Sequence, residues 1–191
     1  KKTDIPEFET RNEIWGLNFP REYETWAQTA DTSFTSEFNG SHAVDVLAAR
    51  PQMVIFWAGY SFSREYNSPR GHKHAIEDMR AILRTGNPGI DGEGDIQPAT
   101  CWTCKGPDVP RMMHEMGIAN FYKAPWSSMG AEIMNPIGCG DCHDPKTMDL
   151  KITRPALIEA FQRQGKDITK ATPQEMRSLV CAQCHVEYYF K

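Results

Sequence analysis

The sequence has no cysteine outside a CxxC pair. Its six cysteines form three such pairs: Cys101 with Cys104, Cys139 with Cys142, and Cys181 with Cys184. Small domains stapled by disulfides space their cysteines irregularly and carry more of them in a shorter chain. The absence of a spare cysteine therefore argues against a disulfide framework and against incidental buried thiols.

Long apolar runs and clusters of basic residues are also absent. The longest apolar stretch, residues 53–60, has eight residues, whereas a membrane-spanning helix needs about 20. The net charge is −4, with 21 Lys and Arg against 25 Asp and Glu, so nucleic acid is not expected as a partner. A hydrophobic content of 40% in 191 residues describes a globular protein that can bury a core.

The alternation of apolar and polar residues that is typical of strands is missing as well. Residues 1–40 are polar and aromatic with little periodicity, and they predict an extended arm with one short helix near residues 21–29. Helix signals occur over residues 69–84, 110–115 and 153–165, and from Thr172 into Cys181. The expected fold class is mainly α with long loops and little or no β-sheet.

Two of the three cysteine pairs continue directly into histidine, as CGDCH over residues 139–143 and CAQCH over residues 181–185. CxxCH is the attachment signature of c-type haem. On a helical turn the two thiols project from one face and reach one edge of a porphyrin, and the histidine can then bind iron axially. We therefore expect His143 and His185 to be iron ligands of two covalently bound haems that help to fill the interior.

Structural zinc, which also uses paired CxxC knuckles, is the main alternative. Zinc ribbons place their pairs about 15–20 residues apart, whereas the pairs here begin 38 and 42 residues apart. Six thiolates also suit tetrahedral sites poorly. A thioredoxin-like redox pair is less well supported, because no βαβ pattern surrounds any of the pairs.

The first pair differs from the others, because Lys105 stands where they have histidine. One interpretation is that CWTCK carries no haem and that Lys105 is an ordinary surface cation. The other is that Lys105 binds iron as a neutral amine, which requires burial. A haem with an unusual axial ligand is commonly one whose opposite face binds and converts a substrate. The second interpretation predicts one reactive haem, held by Cys101, Cys104 and Lys105, that is fed by two relay haems.

The N-terminal residues lack the apolar stretch of a secretory signal, which fits a cytoplasmic protein or an exported one whose signal has been removed. Covalent haem attachment takes place outside the cytoplasm in bacteria. The haem interpretation therefore predicts the periplasm, with the signal peptide removed.

CWTCK, two CxxCH motifs and the sequence HVEYY at residues 185–189 together resemble the N-terminal portion of the pentahaem cytochrome c nitrite reductases. The resemblance covers most of the chain and includes WAGY at residues 57–60 and SPRGH at residues 68–72. It implies that the chain is the N-terminal part of a single multihaem catalytic domain, with an arm over residues 1–40 and a haem-binding region over residues 41–191. The C-terminal continuation, which carries further haems in the family, is absent from this sequence.

Several site residues are implied by the resemblance alone. Arg84, in the LRTG stretch, matches the arginine of the family's active site, and Tyr188 matches its tyrosine. Glu187 and the Tyr188 carbonyl match calcium ligands, and His72 matches the sixth iron ligand of the haem on His185. From the residues alone, Arg84 could equally be a cation at a helix C-terminus, and Glu187 and Tyr188 an ordinary helix end.

The resemblance further implies a reaction and partners. The reaction is the six-electron reduction of nitrite to ammonium, with haem c and calcium as cofactors. The electron donor would be a membrane-attached quinol-oxidising multihaem cytochrome or a soluble cytochrome, and the enzyme would be a homodimer. Two other functions stay open: an electron-transfer cytochrome without a substrate of its own, and a related multihaem enzyme that reduces hydroxylamine or sulfite.

Overall fold

The structure is a computed structural model, and it describes residues 2–35, 37, 42–59, 61–82 and 98–186. In these ranges short α-helices are joined by long irregular segments, and β-structure is limited to three isolated bridges. The mainly α fold with long loops that the sequence predicted is confirmed. None of the described helices is long and apolar enough to cross a bilayer.

The α-helices are α1 (Asn12–Gly16), α2 (Pro20–Gln28), α3 (Val46–Ala49), α4 (Met53–Phe56), α5 (Ala75–Ala81), α6 (Asp108–Met116), α7 (Ile118–Lys123), α8 (Cys139–Cys142), α9 (Pro155–Arg163) and α10 (Pro173–Ala182). Short 3-10 turns occur at Ser61–Ser63, His72–His74, Ala99–Trp102, Ser127–Met129 and Ile168–Lys170.

The N-terminal arm is anchored by its tryptophans. The Trp15 side chain is fully buried, and its indole nitrogen donates to the Glu9 carbonyl at 3.0 Å. Trp26 donates to the carbonyl of Ile137 at 2.8 Å. The helix predicted near residues 21–29 is α2, whereas α1 was not predicted, because five residues are too few to show a helical period. The arm therefore packs beside the second cysteine pair.

The main core surrounds the lysine-bearing pair. Its buried members are Ile76, Met79, Ile82, Ala99, Trp102, Val109, Met112, Met113, Phe121, Trp126, Met129 and Ile133. Trp102, which lies inside CWTCK, stacks on Trp126 with ring centroids 4.3 Å apart. A smaller cluster of Ile152, Ile168 and Val180 packs beneath α9 and α10. Each haem-attachment candidate is thus supported by apolar packing.

The helix predicted over residues 69–84 begins later than expected, with the turn at His72–His74 followed by α5. The preceding Gly71 has φ +99°, which is incompatible with helix continuation. Ser68 also pairs with a different segment, because its backbone N–H donates to the Val44 carbonyl at 2.9 Å. The end of the predicted helix lies outside the described residues.

The other predicted helices are confirmed with shifted bounds, as α6, α9 and α10. The capping box of α10 is present: the Glu175 N–H donates to the Thr172 hydroxyl at 3.3 Å, and the Thr172 N–H donates to the Glu175 carboxylate at 2.8 Å. Cys181 lies in the last turn of this helix. The prediction that the third pair lies on a helix therefore holds.

Candidate haem-attachment sites

Each cysteine pair lies on a short helical turn. CWTC begins in the 3-10 turn Ala99–Trp102, CGDC is α8, and CAQC ends α10. All six thiols are free of disulfides. Burial raises the pKa of Cys139 to about 11 and that of Cys142 to about 12. Pairs of thiols three residues apart on one turn have the arrangement that two thioether bonds to one porphyrin edge require.

His143 is oriented by a strained turn that follows it. Its Nδ1 lies 2.8 Å from the Met148 carbonyl. When Nδ1 donates to this oxygen, the lone pair is on Nε2 and can bind a metal. Met148 has φ +68°, and Asp144 holds the turn by accepting from the N–H groups of Lys146 and Thr147 at 2.9 and 3.1 Å. Sequence reasoning missed Met148, because no motif marks which carbonyl a turn presents.

The rings of His72 and His185 lie close together, next to the third pair. Their ring centroids are 6.4 Å apart, and their planes differ by 38°. An imidazole nitrogen binds a metal at about 2 Å and lies about 1 Å from its ring centroid, so an ion held between two rings requires a separation of about 6 Å. The arrangement therefore fits an iron with one imidazole on each side.

The protonation of His72 favours this role. Although the residue keeps accessible surface, the protein atoms around its ring desolvate it, and this lowers the pKa of His72. The charges of His185 and Lys105 lower it further, while Asp141 opposes them. A neutral imidazole is the form that binds iron.

Lys105 is half-buried, and its backbone N–H donates to the Trp102 carbonyl at 2.8 Å. Its charge contributes to lowering the pKa of both His72 and Cys104, so the lysine lies near both of them. The Cys104 sulfur is 3.6 Å from the Cys184 carbonyl oxygen, and the contact between these two cysteines is the main cause that lowers the pKa of Cys104. The lysine-bearing pair and the third pair are therefore in direct contact.

Three predicted site residues, Arg84, Glu187 and Tyr188, lie outside the described residues and stay predictions. Two histidines that were not predicted as ligands have other partners. His74 Nε2 lies 3.0 Å from the Ala30 carbonyl, and His114 stacks on Phe8. Across the described ranges, no group of three or more His, Cys, Asp or Glu residues is arranged to hold a metal ion by itself.

In the described ranges, CxxCH turns are joined by long loops, two imidazoles lie close together, and β-structure is limited to isolated bridges. These features define the class of multihaem c-type cytochromes. The cytochrome c552 family model matches residues 11–191, and the chain belongs to this family.

Cytochrome c-552 of Porphyromonas gingivalis is 74% identical to this chain over 191 residues, which are 100% of the chain and 38% of that relative. Cytochrome c-552 of Bacteroides thetaiotaomicron is 68% identical with the same coverage. Cytochrome c-552 of Aliarcobacter butzleri is 50% identical over 189 residues, 98% of this chain and 36% of the relative. The chain thus spans less than two fifths of the length of these curated relatives.

A solved cytochrome c nitrite reductase from Desulfovibrio desulfuricans has the same fold, with a TM-score of 0.88 and 34% identity. The match covers 98% of this chain and 42% of that one, which is described as a catalytic subunit with two calcium sites. The resemblance to cytochrome c nitrite reductases that the cysteine motifs predicted is therefore confirmed.

Proposed function

We propose that this chain is the N-terminal part of a periplasmic cytochrome c nitrite reductase, and that its three cysteine pairs each hold a haem c. The observation that carries the proposal is the contact between CWTCK and CAQCH, in which the Cys104 sulfur lies 3.6 Å from the Cys184 carbonyl. It brings a lysine-bearing site next to a site with paired imidazoles. The family membership and the likeness to a solved nitrite reductase support the same function.

The three cysteine pairs would form one reactive site and two relay sites. Cys101 and Cys104 would hold the first haem covalently, with Lys105 as its axial ligand. Haem c supplies an iron that can bind nitrite and exchange single electrons. Lys105 is half-buried, and it would bind the iron as the neutral amine, which is the form with a lone pair to donate.

The relay sites would have histidine ligands. Cys139, Cys142 and His143 would hold one haem, and the hydrogen bond to the Met148 carbonyl orients the imidazole of His143. The pair Cys181 and Cys184, with His185 and His72, would hold the other. An iron held by two imidazoles, as proposed for His185 and His72, would suit electron transfer rather than substrate binding.

The substrate side of the reactive site is proposed from the family resemblance. Arg84 would donate hydrogen bonds to the nitrite oxygens, and its positive charge favours an anion. Tyr188 would position donors or water, and Glu187 and the Tyr188 carbonyl would bind calcium. Electrons would arrive from a membrane-attached quinol-oxidising multihaem cytochrome or from a soluble cytochrome, and the enzyme would act as a homodimer.

The proposal is tested with the full polypeptide that contains this chain, produced with covalent haem attachment and supplied with a reduced dye. Ammonium formed from nitrite is compared for wild type, Lys105→Leu and Lys170→Leu. Lys170 is the matched control, because its side chain is 82% exposed. We expect Lys105→Leu to lose at least 99% of the activity and the control to lose none. Unchanged turnover in Lys105→Leu would refute the reactive-site assignment.

The same preparation distinguishes the other functions. A five-coordinate high-spin signal in electron paramagnetic resonance that cyanide shifts supports an enzyme, whereas its absence supports an electron carrier. Faster turnover of hydroxylamine or sulfite than of nitrite would assign the site to a different substrate.

A further inference from the structure

A buried arginine lies between the lysine-bearing pair and the second pair. Arg154 has no accessible surface. Its Nε donates to the Thr103 carbonyl at 2.6 Å, and its Nη2 donates to the Gly106 carbonyl at 3.0 Å and to the Asp141 carboxylate at 2.5 Å. Thr103 is an inner residue of CWTC, and Asp141 is an inner residue of CGDC. One guanidinium thus joins two attachment turns.

The third attachment turn is joined through Gln183, an inner residue of CAQC. Its side-chain nitrogen donates to the Asp141 carbonyl at 2.9 Å. Its side-chain oxygen accepts from the N–H groups of Thr153 and Arg154 at 2.8 and 3.1 Å. We call Asp141, Thr153, Arg154 and Gln183 the motif hub.

Each side-chain nitrogen of Arg154 and each carboxylate oxygen of Asp141 has at least one hydrogen-bond partner, as a buried ion pair requires. The remaining Arg154 nitrogen, Nη1, donates to the Thr153 hydroxyl at 2.7 Å, and the second Asp141 oxygen accepts from the Gly138 N–H at 2.8 Å. A buried pair of charges repays its desolvation only when its geometry is good and its other groups are satisfied. Such networks fix relative positions more reliably than they add stability.

Both charges of the hub act on the attachment cysteines. The positive charge of Arg154 contributes to lowering the pKa of Cys104, Cys142 and Cys184, and the negative charge of Asp141 contributes to raising the pKa of the same three thiols. The two fields therefore reach all three turns with opposite signs. A group attached at these sulfurs experiences the same opposed fields.

We propose that Arg154 and Asp141 are positioning residues that lock the three attachment turns to each other and balance the charge between them. The inference rests on the proposed attachment of haem c to the three pairs. Without Asp141, the buried positive charge of Arg154 is uncompensated, and a nearby haem is reduced more easily. Arginine does not lose its proton in proteins, so the charge persists.

The test is a spectroelectrochemical titration of the full, haem-loaded polypeptide. In Asp141→Asn, we expect at least a tenfold rise in the reduced-to-oxidised ratio of one or more haems at a fixed applied potential, which corresponds to about 59 mV for a one-electron couple. In the double variant Asp141→Asn with Arg154→Met, we expect the ratio to return towards wild type, because both charges are gone. A purely structural role would instead give a larger disturbance in the double variant.

The matched control is Glu159→Gln, which breaks a solvent-exposed pair with Arg163 instead of a buried one. It should leave the titration unchanged. An unchanged or lower ratio in Asp141→Asn would overturn the inference, as would a double variant displaced further than the single one. If the double variant fails to mature, Asp141→Asn with Arg154→Gln, which keeps a polar side chain, gives the same comparison.

The outcome is separate from that of the proposed function. Intact mass gives the number of haems in each variant, and nitrite turnover is measured on the same samples. A raised ratio in Asp141→Asn that the double variant reverses, in a protein that does not reduce nitrite, would support the hub and refute the function. Normal nitrite turnover in Asp141→Asn, without a change in the reduced-to-oxidised ratio, would support the function and refute the hub.

Discussion

Gly106, which follows Lys105 directly, is a residue at which a single methyl group should be strongly destabilising. Its φ of +89° is a conformation that costs an L-residue about 1–2 kcal/mol. A Cβ here would also lie 2.2 Å from the Asn135 carbonyl oxygen. Asn135 cannot move freely, because its N–H donates to the Asp108 carboxylate at 2.8 Å. Overpacking of this kind costs about 1–3 kcal/mol, so Gly106→Ala should lose about 2–5 kcal/mol in all.

Gly165→Ala is the matched control, because Gly165 has φ +71° and a Cβ added there would have no atom within 4 Å. It should lose only the conformational term, about 1–2 kcal/mol. The free energy of unfolding is measured by urea denaturation of the full haem-loaded protein. We also expect Gly106→Ala, but not the control, to change the high-spin signal, because Lys105 moves with its neighbour. Equal losses in the two variants would refute the close contact at Gly106.

The paired imidazoles and the cap of α10 give further predictions. His72→Ala should convert the haem on His185 from low spin to high spin, whereas His74→Ala should not, and optical and electron paramagnetic resonance spectra check this. Thr172→Ala removes the hydroxyl that caps α10, and denaturant titration should show a loss of about 1 kcal/mol. Hydrogen bonding to the Thr172 N–H lowers the pKa of Glu175 from its usual 4.5, so Glu175→Gln should be destabilising at pH 7. This difference from wild type should close as the pH falls through and below 4.5, since protonation then removes the carboxylate from the wild-type protein as well.

The features that could be predicted from the sequence depend on local rules. CxxCH spacing defines a thiol pair and a ligand within one turn, and the capping box with Pro173 defines the start of α10 to within one residue. The late start of α5 was missed, because Gly71 adopts a positive φ that the pattern of apolar residues does not reveal.

The features that could not be predicted are those created by tertiary contact. Asp141 and Gln183 occupy the variable positions of CxxCH, where any residue satisfies the motif. Arg154 directly precedes α9, and no sequence motif around it indicates a buried side chain. Met148 contributes only its backbone carbonyl. The side chains of Asp141, Gln183 and Arg154 bind groups in other segments of the chain, which the local sequence does not indicate. A backbone carbonyl such as that of Met148 is present in every residue and therefore gives no sequence signal.

The proposed reduction of nitrite at this chain requires a haem on the lysine-bearing pair, in addition to the haems proposed for the two histidine-bearing pairs. Proteolysis of the full, matured polypeptide followed by mass spectrometry of its peptides tests it most directly, because thioether-linked haem stays with its peptide. We predict a haem on each of the peptides that contain Cys101 with Cys104, Cys139 with Cys142, and Cys181 with Cys184. Haem on the two CxxCH peptides alone, with unmodified thiols at Cys101 and Cys104, would contradict it.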